Sequence, residues 1–405
     1  MLNIGILGLG TVGQGVVEII SEREKDLENL LGQKVNIKRI MVQDLEKDRG
    51  LDLPAGVLTN RAEDIVNDEE IQIVVEVTSS LEEGYGYIKA ALKNGKHVVT
   101  ANKAILSKYF EELNGLALEN KRALLYEASV AGGIPVLKPL KEHLVLNELD
   151  KLQGILNGTC NYILSRMFLE GLGYKDVLKQ AQDLGYAEAD PAADVEGHDT
   201  LRKLRILGTL GLQGKVSEED IILEGIERIS SFDIEKIKEE NSTVKLIGEV
   251  RKEGDGYLAL VMPTIVGMDS YFANVNGAFN SVAFLGNNVG ELKFYGPGAG
   301  KLPTANAILT DLIDIGLGSY RKDSLMGDKD LKNNNSLVKG RFYLRISKVN
   351  DQVKEALKRI EEKNLESDDC LAVFTKEVEL KELYQMLKDL GIEKDQYFIA
   401  RVLEQ

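Results

Sequence analysis

The chain has 405 residues, 43% apolar and 28% charged, an ordinary globular composition with length for two to four domains at roughly 100–200 residues each. The formal charge is −15, and no long Lys/Arg block stands in the sequence, which argues against non-specific nucleic-acid binding and against docking on anionic membranes. No run approaches the ~18 apolar residues of a membrane helix. The two cysteines, Cys160 and Cys370, are too few and too far apart for a disulfide framework, and His97, His143 and His198 lack metal-ligand spacing. The N-terminus enters structure at Leu2 without a signal-peptide layout, so a cytoplasmic protein is expected.

The first third alternates short apolar runs with helical patterns. Leu2–Leu7, Asn36–Val42, Ile71–Val77, His97–Thr100 and Leu124–Ala128 read as strands. Val12–Leu31 reads as one helix on the period of Val16, Val17, Ile20, Leu27 and Leu30, and a second helical stretch surrounds Tyr87–Asn94 and closes at Gly95. Such alternation predicts right-handed βαβ units on a parallel sheet. The centre reads as α+β, with strands at Lys151–Leu156, Tyr257–Val266 and Ser281–Leu285 and helices at Asn161–Leu169, Tyr174–Leu184 and Asp199–Leu212. A helix opened by Pro303 follows, and the polar stretch 321–340 reads as a linker. Beyond it, 341–405 repeats a strand–helix pattern twice and ends in a strand.

Gly8-Leu9-Gly10-Thr11-Val12-Gly13 is a G-x-G-x-x-G that follows a strand and opens a helix, the context a dinucleotide loop requires. Gly8 permits the turn, Gly10 lets the backbone approach a pyrophosphate, and Gly13 packs helix on strand. The N–H groups of the helix start, at Thr11 and Val12, then meet the phosphates. Asp44, beyond the second strand, is the candidate for the ribose hydroxyls, and reads equally well as a solvated turn residue.

Three later segments carry more. They are 95–104 (GKHVVTANKA), 126–135 (YEASVAGGIP), and a set running from 154–164 (GILNGTCNYIL) through 184–191 (LGYAEADP) to 194–199 (DVEGHD) with Lys203. In this order they closely resemble homoserine dehydrogenase, over roughly residues 1–320. The resemblance implies NADH- or NADPH-dependent reversible reduction of L-aspartate 4-semialdehyde to L-homoserine, on the route to threonine and methionine. It also implies a small amino-acid substrate and a homodimer or higher homo-oligomer. Its three-part architecture is a Rossmann-type domain at 1–136, to which the helix at about 303–320 returns, a catalytic and oligomerisation domain at 137–302, and an ACT-like α+β module at 341–405.

The same resemblance assigns residues. Lys203 matches the proposed acid/base, with Asp199 one helical turn before it; taken alone, the two read as a surface ion pair. Lys103 faces cofactor and substrate, where an ammonium polarises a carbonyl or holds a carboxylate. Glu188 pairs the substrate ammonium, and Gly158 and Thr159 line the substrate pocket, with Thr159 donating hydrogen bonds. Thr78 and Gly300 lie along the cofactor. Glu127, Val130, Gly132 and Ile134 match a monovalent-cation site, usually sodium, in which one carboxylate joins backbone carbonyls.

The departures also carry information. Gln43 stands where many relatives place an arginine for the 2′-phosphate of NADP, which tilts the expectation towards NAD, although Lys47 is near enough to compensate. Thr78-Ser79-Ser80 replaces a common Gly-Gly. In the tail the Asp-x-Pro-Gly effector turn is missing, Asn350-Asp351-Gln352-Val353 stands there, and one strand of the usual repeat reads as lost or shortened, so threonine inhibition is not implied. Two other readings compete. One is a semialdehyde dehydrogenase with Cys160 as nucleophile, against which Cys160 reads as a small buried residue. The other is an amino-acid-sensing protein that keeps the dehydrogenase fold.

Overall fold

The computed structural model describes residues 1–323, 327, 329–366 and 370–403. Positions 324–326 and 328 of the expected linker, and 367–369, 404 and 405 of the expected tail module, lie outside the described residues. Contacts divide the chain into two compact units, Met1–Leu146 with Thr209–Gly214 and Gly296–Asp328, and Asn147–Gly208 with Lys215–Tyr295 and Lys329–Gln405.

The first unit is a Rossmann-type domain. Its strands are β1 (Leu2–Leu7), β2 (Val35–Met41), β3 (Leu58–Thr59), β4 (Ile73–Glu76), β5 (His97–Thr100) and β6 (Leu124–Leu125). All pairings are parallel, in the order β3-β2-β1-β4-β5-β6. The order reverses between β1 and β4, and a doubly wound sheet offers its ligand crevice at that switch point. β4 is buried along its whole length, which is why it reads as a continuous apolar run. The helix Lys301–Leu317 packs on Thr11–Glu22 at Gly15, where a Cβ would stand 2.8 Å from the Lys301 carbonyl oxygen.

Two expectations in this unit change. The first helix is two, Thr11–Glu22 and Glu24–Leu31, separated by Arg23 with non-helical angles (φ −111°, ψ 21°). The break re-aims the second piece so that Leu27 reaches the core while Leu30 points to solvent. The strand expected at Leu124–Ala128 ends at Leu125, because the chain turns into the short helix Ala128–Ala131. The helix Lys103–Glu119 has no counterpart in the periodicity; Asn102 caps it by accepting from Ile105 N at 3.2 Å.

The second unit is built on an eleven-stranded sheet. Its main path runs Gly290–Pro297, Phe279–Gly286, Leu149–Ile155, Ser242–Glu253, Gly256–Gly267, Tyr397–Val402, Phe342–Ile346, Leu371–Thr375, Glu361–Glu366. The tail therefore continues the central sheet, through parallel pairing of Thr264 with Arg401 and Ile265 with Val402. On this sheet the tail contributes strand, helix, strand, strand, helix, strand in chain order, while the short strand Val378–Glu379 pairs with Lys339–Gly340 apart from it. The strand that seemed lost is Glu361–Glu366, paired antiparallel with Leu371–Thr375 at the sheet edge. Its polar sequence hid it, since an edge strand has no need of an apolar face. Part of the expected linker is ordered here as well: Lys332–Asn333 pairs with Gly256 and Tyr257.

Candidate active site

In the first unit the glycine turn has the geometry its sequence required. Gly8 has φ +103°, and a Cβ there would stand 2.8 Å from the Val77 carbonyl oxygen. At Gly13 a Cβ would strike the Gly8 carbonyl. At Gly10 a Cβ would meet nothing within 4 Å, so the backbone lies open on that side. Among the described residues no side chain caps the helix that begins at Thr11. An open backbone at a helix start above the switch point fits the pyrophosphate of a dinucleotide.

Beside it, at the carboxyl end of β4, Glu76 is fully buried. Its carboxylate accepts from Thr78 N (2.9 Å), Thr78 Oγ1 (2.5 Å) and Thr100 Oγ1 (2.6 Å). Burial pushes its carboxyl above the usual range, against the pull of these hydrogen bonds. Thr100 Oγ1 accepts from Asn102 N (3.0 Å), and Asn102 donates to the Thr78 carbonyl (3.2 Å) while capping the helix that opens with Lys103. The hydroxyl and backbone of Thr78 and the start of the Lys103 helix are thus fixed by one network. Sequence reasoning passed over Glu76 as part of a strand; the available signal was a lone carboxylate closing an apolar run. Asp44 is exposed, with one oxygen accepting from Glu46 N (2.9 Å) in a tight turn. Arg49, which the sequence reading did not single out, donates to the Asp44 carbonyl at 2.7 Å.

Glu127 is engaged by backbone amides. Its Oε1 accepts from Val136 N (2.6 Å) and Leu137 N (2.7 Å), and its Oε2 accepts from Lys138 N (2.8 Å). The carboxylate thereby caps the start of the helix Leu137–His143. Val130 lies within the short helix Ala128–Ala131, Gly132 turns with φ +60°, and Ile134 donates its N–H to the Ala131 carbonyl at 3.1 Å. Gly300, at φ +128°, precedes the helix Lys301–Leu317.

In the second unit Asp199 and Lys203 lie one turn apart on the helix His198–Leu212 and are both buried. Lys203 Nζ donates to Asp199 Oδ2 and to the Leu156 carbonyl, both at 2.7 Å. Asn157 Nδ2 donates to Asp199 Oδ2 (2.8 Å) and to Asp194 Oδ1 (2.7 Å), while its Oδ1 caps the helix Gly158–Glu170 at Cys160 N (2.8 Å). Asn280, also passed over, is fully buried and donates to the same Leu156 carbonyl at 2.9 Å; nothing in its sequence surroundings marks it. Gly158 has no room for a side chain, since a Cβ would stand 2.8 Å from the Ala278 carbonyl oxygen. Thr159 Oγ1 gives its proton to the Tyr186 carbonyl at 2.5 Å, so its hydroxyl holds the loop that carries Glu188. Glu188 is exposed, and its carboxylate makes no ion pair or hydrogen bond among the described residues. Cys160 is fully buried, its thiol donates to the Asp194 carbonyl (3.2 Å), and burial pushes it well above the usual thiol range. A nucleophilic thiolate is therefore disfavoured there.

A nucleotide fold and a buried lysine held by a carboxylate place the chain among dehydrogenases that use a nicotinamide cofactor. A family model described as homoserine dehydrogenase, NAD binding domain, matches residues 8–127, and one described as homoserine dehydrogenase matches 135–313. The homoserine dehydrogenase of Bacillus subtilis (strain 168) is 45% identical over 314 residues, 78% of this chain and 72% of that protein. A homoserine dehydrogenase structure from Thiobacillus denitrificans matches with a TM-score of 0.90 at 33% identity, covering 100% of this chain and 98% of that one. A hyperthermophilic archaeal homoserine dehydrogenase in complex with NADPH matches at 0.68 and 28%, covering 79% and 98%. The chain belongs to the homoserine dehydrogenase family, which are NAD(P)-dependent oxidoreductases of amino-acid biosynthesis. No helix among the described residues is long and apolar enough to cross a membrane.

Proposed function

We propose that the chain interconverts L-aspartate 4-semialdehyde and L-homoserine, with Lys203 giving the proton to the developing alkoxide and taking it back in reverse. The observation that carries this reading is the buried Lys203 held at 2.7 Å by both Asp199 and the Leu156 carbonyl. Those two acceptors fix the direction of the ammonium, and Asp199 compensates its charge. Bound nicotinamide supplies the hydride. Glu188 is assigned to the substrate ammonium, since its carboxylate is available, and Lys103 to the substrate carbonyl or carboxylate. Gly8, Gly10, Thr11, Val12, Gly13, Thr78 and Gly300 are assigned to the cofactor. NAD is favoured over NADP because Asp44 would repel a 2′-phosphate; Lys47 and Arg49 are the cations able to oppose that preference. The test is reduced-nicotinamide absorbance with L-homoserine, NAD and NADP in parallel. Lys203→Ala is expected to lower turnover by about 10²–10⁴ with cofactor binding retained. Unchanged turnover in that variant overturns the assignment of Lys203, and faster turnover with NADP overturns the cofactor preference.

A sodium ion at the Glu127–Ile134 turn would rest on main-chain carbonyls, the Glu127 carboxylate being engaged by three amides. A melting temperature that rises with NaCl but not with choline chloride supports the ion; equal shifts remove it. A cytoplasmic homo-oligomer is also proposed. The edge strand Gly290–Pro297, with exposed Tyr295 stacked on Phe279 at 5.2 Å, supports association. A solution mass of one chain by light scattering would exclude it. The tail's strand and helix order supports the ACT-like reading, with a part in subunit contact.

A further inference from the structure

The first unit holds a cavity of about 340 Å³ between the end of the helix Lys103–Glu119, the helix Leu137–His143 and the end of the helix Lys301–Leu317. That volume lies in the range of small-molecule sites. The charges on its wall include two contrasting sets. Lys138 is paired with Asp314 at 2.7 Å, Arg321 Nε with Asp323 at 2.9 Å, and the Glu127 carboxylate is filled by three amides. Lys141 and Asp311 are different. Lys141 Nζ lies over the Tyr126 ring at 4.5 Å and makes no hydrogen bond or ion pair among the described residues. Asp311 is buried; its Oδ2 accepts from Glu127 N at 2.8 Å, and its Oδ1 accepts from none of the described residues. An ammonium and a carboxylate thus line one cavity without touching each other. Burial pushes the Lys141 ammonium down and the Asp311 carboxyl up to about 8, so each charge is costly here unless a ligand pairs with it. The remaining wall includes Ala117, Leu118 and Leu124, an apolar surface beside the two charges.

We propose that this cavity binds a free α-amino acid, its ammonium on Asp311, its carboxylate on Lys141, and an apolar side chain against Leu118 and Leu124. A zwitterion satisfies both charges at once, and neither an anion nor a cation alone does so. The site is independent of the assignment of the reaction, since none of these residues belongs to the Lys203 cluster.

The probes are L-norleucine, hexanoate and 1-aminopentane, which share a chain and differ in their charged ends. Calorimetry on the full chain, with no substrate and no cofactor, is expected to show norleucine binding at least about tenfold tighter than either control, a difference of about 1.4 kcal/mol. Lys141→Gln is expected to reduce norleucine to the affinity of 1-aminopentane while homoserine turnover stays at the parent rate. Leu118→Trp, which closes the cavity without removing a charge, is expected to abolish binding of all three. Absence of norleucine binding to the parent protein overturns the proposal. So does parent-like binding in folded Lys141→Gln or Leu118→Trp, which would place the ligand elsewhere.

Discussion

Lys203 and Lys245 are both buried lysines, and their company separates them. Lys203 has a carboxylate at 2.7 Å. Lys245, inside the strand Ser242–Glu253, donates to neutral acceptors: the Val275 carbonyl (2.6 Å), Asn276 Oδ1 (3.1 Å) and Asn161 Oδ1 (3.2 Å). Burial pushes its ammonium down to about 8. Between that value and 10.5 the unfolded chain holds a proton that the folded chain does not, so folding stability rises with pH through this window. Below it the penalty is constant. The gain is about 3 kcal/mol at most, at about 1.4 per pH unit. Urea unfolding at a series of pH values from 8 to 10.5 is expected to show that rise, and Lys245→Met to flatten it; a parent slope that the variant keeps would assign the effect to other groups. At this scale the sequence exposed the charged candidates well. Asp199 and Lys203 stand four apart on a helical period, and the glycines of the first turn follow from backbone needs. What it could not show was direction. Thr159 was expected to donate to substrate and donates to Tyr186, and Glu127 was expected to face a cation and faces three amides. Donor direction depends on which backbone group folding brings near, and local pattern does not carry that information.

Elements rather than single residues carry the nucleotide site. β4 and β5 end, and the helix Lys103–Glu119 begins, at one polar knot, and Glu76 is its centre. Removing a buried carboxylate leaves three donors without their acceptor, at a cost of about 1–3 kcal/mol for each buried group so abandoned. Glu76→Ala is therefore expected to weaken reduced-cofactor binding by tenfold or more, about 1.4 kcal/mol, as read by nicotinamide fluorescence. Glu76→Gln, which still offers one acceptor oxygen, is expected to fall between the two. Equal binding by all three would show that the knot stabilises the sheet without positioning Thr78. The elements that escaped the sequence share a cause. Ser242–Glu253 is buried on both faces for most of its length, so it shows no alternation, and its interior Lys245 and Glu249 break any apolar run. The Arg23 break carries neither glycine nor proline, so nothing local announces it.

For the whole molecule, the consequential feature is that the tail is not an appendage. Tyr397–Val402 extends the central sheet, and Leu258, Leu260 and Met262 of the strand Gly256–Gly267 lie in one apolar core with Phe342, Leu344, Val373, Leu383 and Ile399 of the tail. Polar ties cross the same seam. Arg345 Nε and Tyr343 OH donate to Asp233 at 2.7 Å, Tyr384 OH donates to Glu224 at 3.0 Å, and Arg401 pairs with buried Glu249 at 3.0 Å. A chain ending at Gly340 would expose three apolar side chains worth about 1.5–3 kcal/mol each, take the cationic partners from buried Asp233 and Glu249, and unpair the strand Gly256–Gly267 at Thr264 and Ile265. A detachable regulatory module would instead leave a folded, active remainder. Truncation after Gly340 is therefore expected to give aggregated or unfolded protein with homoserine turnover lost, as read by the soluble fraction and by circular dichroism. A milder variant separates the two views without deleting anything. Arg401→Leu leaves Glu249 without its ion-pair partner, and unpartnered buried charges cost about 3–5 kcal/mol. It is expected to lower the melting temperature and the urea midpoint of the whole second unit in a single transition. A separate early transition confined to the tail would show that the shared sheet does not couple the two parts.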